Sequence, residues 1–143
     1  MLSAHTISDA FLKLSQPEVG DVITNLKMQK LLYYAQGLHL ALSKTPLFSE
    51  DIVAWNYGPV VPDVYHRFKE YGSNPIPMPE VVNLDNFSTF QIELITDVYS
   101  AFGQFSALKL MQMTHEESPW IETPQSEVIT HEKLIKHFVT YLK

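Results

Sequence analysis

Histidine and carboxylate side chains stand together at His115-Glu116-Glu117, the stretch of this sequence that comes nearest to a reactive site. An imidazole beside a carboxylate can serve general acid–base hydrolysis. A metal ion would need more ligands, and His131 and His137 follow later in the chain. Those two histidines are six residues apart, so on one helix they face different directions. The pattern is more typical of a helix end, where such side chains bond the neighbouring backbone.

Other catalytic signatures are absent from the sequence. It contains no Walker A loop, no dinucleotide-binding glycine motif, no G-x-S-x-G elbow and no H-E-x-x-H. It also contains no cysteine, which excludes disulfides, thiolate metal sites and a cysteine nucleophile. We therefore predict a protein that is not an enzyme and that uses no cofactor. A small hydrolase built on His115 and the two glutamates is the alternative.

Two aromatic motifs are better candidates for binding. Trp55-Asn56-Tyr57-Gly58-Pro59 places a tryptophan and a tyrosine around a tight turn, and Ser118-Pro119-Trp120 places a second tryptophan in a proline-stiffened loop. Tryptophan and tyrosine carry much of the binding energy at protein interfaces, and a stiff loop lowers the entropy cost of presenting them. Both tryptophans could instead cap the core, and both interpretations stay open.

The elements that must position these residues are mainly helical. About six helices and a short strand at 52–55 are predicted, in one domain spanning residues 1–143. The clearest helix begins at Asn25 as N-cap, and its apolar stripe runs from Met28 to Leu42. Gly37 lies within this stripe, which indicates that a bulky ring or another backbone packs against it. Lys27, Lys30 and Tyr34 flank the stripe and are predicted to be solvated or to form the rim of a binding face.

The remaining helices are marked by caps and terminators. They are predicted from Pro59 or Pro62 to Gly72, after the Ser88 and Gln91 capping box to Phe102, after Ser106 to about His115, and from Thr130 onward over Leu134, Ile135, Phe138 and Leu142. The first helix is predicted at 6–15, and residues 115–124 are predicted to form a loop. Prolines at 75, 77 and 79 predict an extended strap.

Composition and charge limit the class of partner. Of the 143 residues 45% are hydrophobic, 12% aromatic and only 18% charged, and the net charge is −6. Arg67 is the only arginine, so a nucleic-acid partner is not expected. The helix–turn–helix-like pattern around Gly103 lies in residues 85–132, which contain eight acidic residues and one lysine. This acidic stretch is unsuited to DNA binding. No apolar run is long enough to cross a membrane and no secretory signal is evident, so we expect a cytoplasmic protein.

Four blocks of the sequence together resemble the Panacea-domain (SocA-like) antitoxin family. They are Thr24-Asn25-Leu26-Lys27-Met28-Gln29-Lys30-Leu31-Leu32-Tyr33-Tyr34-Ala35-Gln36-Gly37, Pro46-Leu47-Phe48, Ala54-Trp55-Asn56-Tyr57-Gly58-Pro59-Val60-Val61-Pro62 with Val64-Tyr65, and Thr114-His115-Glu116-Glu117-Ser118-Pro119-Trp120. They occur in the family's order and extend from about residue 20 toward the C-terminus.

The resemblance implies an antitoxin that binds and neutralises a cognate protein toxin, of a kind also found among phage and mobile-element proteins. An adaptor that delivers its toxin to a protease is the alternative within the family. Neither the toxin nor the oligomeric state follows from the sequence. The residues expected to contact the partner are Lys30, Tyr34, Trp55, Tyr57, His115 and Trp120, with the aromatic side chains as anchors.

Overall fold

The computed structural model describes residues 1–142. Within them the chain forms seven α-helices, one two-stranded antiparallel sheet and three short 3₁₀ helices. The α-helices are α1 (Ala4–Leu14), α2 (Asn25–Ser43), α3 (Pro62–Phe68), α4 (Thr89–Phe102), α5 (Ala107–His115), α6 (Ser118–Ile121) and α7 (His131–Phe138). The strands are β1 (Val53–Trp55) and β2 (Gly58–Val60), and the 3₁₀ helices are Pro17–Val19, Lys69–Tyr71 and Val139–Leu142. The predicted mainly helical fold with a small β element is confirmed.

Helix α2 is the centre of the fold. It contacts α1, α3, α4, α5, α7 and β2, and fifteen of its nineteen residues are buried. An amphipathic surface helix would bury only one stripe. The predicted stripe is therefore too narrow for this helix, and at its C-terminal end it is wrong, since Leu42 is 48% exposed. Most polar side chains of α2 lie inside the protein and must find partners there.

Two glutamines of α2 show how those polar groups are satisfied. The Gln29 side-chain oxygen accepts a hydrogen bond of 2.9 Å from the backbone N–H of Val61, just beyond β2. About two turns further along, the Gln36 side-chain oxygen accepts a hydrogen bond from the N–H of Leu47, and its amide donates to the carbonyl oxygen of Phe48. Both side chains thus connect α2 to backbone groups outside the helix.

Gly37 lets α7 pack closely against α2. A Cβ atom at this position would lie 2.2 Å from the ring of Phe138, a separation that real side chains do not reach. The expectation that a bulky ring packs on Gly37 is confirmed. A glycine inside a helix is less favourable than alanine by about 1 kcal/mol. At this position it allows the fully buried Phe138 to pack directly on α2.

Helix caps agree with the sequence except at α2. Ser88 and Gln91 form the expected capping box, and the hydroxyls of Ser106 and Thr130 accept the expected N-cap bonds. For α2 the cap is Thr24, whose hydroxyl accepts from the N–H of Lys27. The prediction of Asn25 as cap is wrong, because Asn25 is buried and donates its side-chain amide to the carbonyl oxygen of Tyr65.

Two further expectations need correction in the C-terminal part. Residues 118–121 form the single turn of α6 inside the stretch that was expected to be loop, with Pro119 in its first turn, where a missing N–H costs nothing. Leu142 is 47% exposed and does not join the core, whereas Leu134 and Phe138 of α7 are fully buried. Within residues 1–142 no helix combines the length and the apolar character that crossing a membrane requires.

Candidate functional site

The β-hairpin presents the first aromatic motif. In it Trp55 is paired with Gly58, and Gly58 takes a φ of +106°, a conformation that glycine adopts without strain. A Cβ atom there would also lie 2.8 Å from the Thr114 hydroxyl. On its other side, β1 bonds to residues 126–129, through Ala54 N–H to the Glu127 carbonyl and Ile129 N–H to the Ile52 carbonyl. The hairpin is therefore held along both edges of β1.

Lys30 lies underneath this hairpin. Its side chain has no exposed surface, and its amine donates a hydrogen bond of 3.3 Å to the carbonyl oxygen of Pro59 in β2. Burial lowers the pKa of Lys30 to about 7, because desolvation disfavours the charged form. Lys30 thus supports the hairpin from within. We correct the expectation that it forms the rim of a binding face, and the same applies to Lys27, which is buried and bonds the Gly103 carbonyl.

The second aromatic motif packs against the first. The ring of Trp120 stacks on the ring of His115, with centroids 4.1 Å apart. The indole N–H of Trp120 donates a hydrogen bond of 2.8 Å to the carbonyl oxygen of Trp55. Trp55 in turn meets the Tyr65 ring edge-on, with centroids 5.1 Å apart. The structure therefore joins the two tryptophan motifs by a hydrogen bond, although the two tryptophans are 65 residues apart in the chain.

Glu117 is the anchor of the segment that carries Trp120. Its carboxylate accepts hydrogen bonds from three tyrosine hydroxyls: Tyr33 at 2.8 Å, Tyr34 at 2.9 Å and Tyr141 at 3.0 Å. Bonds to an ionised acceptor are stronger than neutral ones. The carboxylate thereby joins α2, the turn before α6 and the C-terminal 3₁₀ helix.

The tyrosines around Glu117 remain protonated in the folded protein. Burial raises the pKa of Tyr34 far above its usual value of 10, and the Glu117 carboxylate raises it further. The same two causes, in the same order, raise the pKa of Tyr33 and of Tyr141. Tyr34 is also fully buried and stacks on Phe102 at 3.9 Å between centroids. We therefore correct the expectation that Tyr34 lies at a binding surface.

The hydrolase and metal-site alternatives find little support in this geometry. Both oxygens of Glu117 are engaged by tyrosines, and His137 lies 3.7 Å from one of them. In the described part of the chain no three His, Asp or Glu side chains come together as metal ligands would. The ring atoms Nε2 of His115 and His137 are buried without a hydrogen-bond partner in residues 1–142. In the histidine–glutamate stretch of the sequence, Glu117 binds three tyrosine hydroxyls and His115 stacks on Trp120.

Tyr57 differs from the other five predicted contact residues because its side chain points into solvent. It is 66% exposed at the hairpin turn, and it borders a groove of about 550 Å³. Half-buried aromatic rings and apolar side chains line the groove, and most of its exposed lining residues are polar. Its lining includes Leu26, Trp55, Tyr57, Val60, Tyr65 and Lys69. We refer to this feature as the hairpin groove.

The six residues predicted to contact a partner thus separate into three groups. Tyr57 and Trp55 line the hairpin groove. Trp120, stacked on His115, bonds to the Trp55 backbone, and Lys30 and Tyr34 lie in the interior. Sequence reasoning missed Tyr65 and Lys69 as groove residues. Tyr65 belongs to one of the four sequence blocks that resemble the family. Lys69 is an isolated lysine after a short helix, and nothing in the sequence around it indicates a groove.

Fold and site together define a small helical domain built around a buried polar helix, with an aromatic hairpin and groove on its surface. Residues 28–121 match the family described as "Antitoxin SocA-like, Panacea domain". The match covers well over half of the chain, and the chain belongs to this family. The matched region extends from α2 to α6 and includes both tryptophan motifs.

A curated relative supports the same assignment. The chain is 34% identical over 110 residues to Antitoxin SocA of Caulobacter vibrioides (strain NA1000 / CB15N). This alignment covers 68% of the present chain and 58% of the relative, so the chain spans little more than half of that protein's length. No solved structure matches the chain.

Proposed function

We propose that this protein is an antitoxin that neutralises a cognate protein toxin by binding it directly, without a catalytic step. The observation that carries the proposal is the exposed Tyr57 side chain, presented on a braced hairpin beside the hairpin groove. A tyrosine at a protein interface buries a large ring and offers a hydroxyl for hydrogen bonding. A surface that is ordered before binding loses little conformational entropy when the partner docks.

The braced construction of the hairpin favours occlusion of the toxin by a preformed surface. The Trp120 bond to Trp55, the Lys30 bond to Pro59 and the strand pairing with residues 126–129 all restrict the hairpin. We take residues 1–143 as one binding domain that acts in the cytoplasm. Helices α1 and α7 lie outside the matched region, yet they contribute Phe11 and Phe138 to the same hydrophobic core.

Co-expression with the product of the neighbouring gene tests this proposal. We expect that product to arrest growth when expressed alone, and we expect growth to recover when this protein is expressed with it. The two proteins should then co-purify in a stable complex. A neighbouring product that is harmless alone and does not co-purify would contradict the proposal.

The same cells separate neutralisation by binding from delivery to a protease. Under direct neutralisation the toxin accumulates in the complex, and its half-life after translation is stopped does not fall when this protein is present. If this protein shortens the toxin's half-life, and growth recovery is lost in a protease-deficient strain, the adaptor alternative is correct and occlusion is not.

A further inference from the structure

The hairpin groove has a local charge opposite to that of the whole chain. The protein has sixteen acidic residues and a net charge of −6. Among residues 1–142 no acidic side chain lines the groove, and Lys69 is the one charged residue of its lining. Net charge alone would predict a basic partner segment at this surface. The lining of the groove predicts an acidic partner segment instead.

Lys69 is available to a partner, unlike the arginine two residues before it. The Arg67 guanidinium donates to the Asp9 carboxylate at 2.7 Å. Lys69 is exposed, and within residues 1–142 it forms no ion pair and no side-chain hydrogen bond. The adjacent Glu70 lines a different cavity, together with Asp9 and Arg67. The ammonium at the rim of the hairpin groove therefore has no carboxylate competing for it from the groove lining.

Below Lys69 the groove is apolar. Its less exposed lining includes the buried Val60 and the half-buried Leu26 and Tyr65. Asn25 and Gln29 also line it, but their side-chain amides are already bonded within the protein. An apolar side chain is therefore the group that gains most by entering, because it loses contact with water and forfeits no hydrogen bond.

We infer that the hairpin groove accepts a segment of the toxin in which an apolar anchor residue is flanked by a carboxylate that pairs with Lys69. This inference rests on the proposed function and specifies the chemistry of the partner. The anchor residue fills the apolar part of the groove. The carboxylate at the rim steers the approach and selects the orientation, since peripheral charges act mainly on association rate and specificity.

Charge reversal at Lys69 tests the inference against the toxin encoded by the neighbouring gene. We expect Lys69→Glu to weaken binding about ten-fold at low salt, because one favourable pair is lost and a repulsive pair replaces it. The affinity of Lys69→Gln should lie between that of the wild type and that of Lys69→Glu. Lys136→Glu is the matched control, since Lys136 is exposed on α7, outside the groove, and the substitution changes the net charge equally.

The salt dependence of the association rate gives a second readout. The wild-type rate should fall as sodium chloride is added, and the rate of Lys69→Glu should fall less or rise, because salt screens attraction and repulsion alike. Equal effects of Lys69→Glu and Lys136→Glu would overturn the inference, as would tighter binding by Lys69→Glu. A wild-type dimer that Lys69→Glu converts to a monomer would also overturn it, since the groove would then hold a second copy of this chain.

The inference and the proposed function fail in different ways. If wild-type protein does not bind the toxin at all, the proposed function is wrong and the inference falls with it. If the toxin binds and Tyr57→Ala weakens binding while Lys69→Glu does not, only the acidic character of the bound segment is wrong.

Discussion

Trp120 donates the hydrogen of its indole nitrogen to the backbone carbonyl oxygen of Trp55, 2.8 Å away. This single bond joins two sequence motifs that are far apart in the chain and holds the hairpin next to the turn that carries Tyr57, since Trp55 pairs with Gly58 across that turn. Trp120 itself is held by its stack on His115 and by the short helix α6. The second tryptophan motif therefore acts as a brace behind the groove, and the first forms part of the groove.

Substitution of Trp120 by phenylalanine tests the brace. Trp120→Phe keeps an aromatic ring for the stack on His115 and removes the donor, which leaves the Trp55 carbonyl without this partner. We expect a loss of about 1–2 kcal/mol in the free energy of unfolding and faster amide hydrogen exchange in residues 53–60. Tyr57→Phe is the control and should change stability by less than about 0.5 kcal/mol. Unchanged exchange in the hairpin would contradict the brace.

The cluster of tyrosines around Glu117 predicts a large effect of one isosteric substitution. In Glu117→Gln the ionised acceptor is lost, and the new amide hydrogens meet hydroxyls that already act as donors. We expect a loss of about 3 kcal/mol in the free energy of unfolding, measured by urea titration. Glu116→Gln removes the same charge from the exposed neighbouring side chain and should be nearly neutral. Equal stability of the two variants would show that the cluster contributes little.

Lys30 predicts a specific dependence of stability on pH. The folded-state pKa of about 7 is below the ordinary value of 10.5. Between these values the unfolded chain binds more protons than the folded one, so the free energy of unfolding rises with pH, by at most about 1.4 kcal/mol per pH unit. Below pH 7 both states carry the charge, and this contribution is at its lowest.

Removing the amine should remove that rise. We expect the difference in unfolding free energy between wild type and Lys30→Met to increase from about pH 6.5 to about pH 9, in favour of the wild type. Lys136→Met, at an exposed lysine, should show a constant difference from the wild type over the same range. A constant difference for Lys30→Met as well would mean that Lys30 titrates normally.

Much of the fold could be predicted from local sequence rules. Helix caps depend on residues near each helix end, and the predicted caps at Ser88, Ser106 and Thr130 are present. The close packing at Gly37 depends on one missing Cβ atom and is also present. The short helix α6 escaped prediction because one turn of helix has no periodicity to detect. The N-cap of α2 was predicted wrongly for another reason. Thr24 and Asn25 are both good N-cap residues, and only the hydrogen bond from Asn25 to the distant Tyr65 carbonyl decides between them.

The candidate site was harder to predict because it depends on which polar residues are buried. Lys30 and Tyr34 flank the apolar stripe of α2, and on an ordinary surface helix such residues would face solvent. Their hydrogen-bond partners, Pro59 and Glu117, are 29 and 83 residues away. Local patterning cannot show that such partners exist, so the recognised blocks indicated the family but not which of their residues form the interior. Tyr57 lies on the turn that the sequence indicated and is exposed, and its role as a partner contact stays a prediction.

The affinity of the Tyr57→Ala variant for the toxin tests the central claim most directly. Isothermal titration should compare it with the wild type and with Phe90→Ala, which removes another exposed ring from α4, outside the groove. We predict that Tyr57→Ala weakens the complex about 30-fold or more, as expected for loss of an interface anchor worth about 2 kcal/mol. Its unfolding free energy should stay at the wild-type value, and Phe90→Ala should bind as the wild type does. Wild-type affinity of Tyr57→Ala would contradict the assignment of the hairpin groove as the toxin-binding surface.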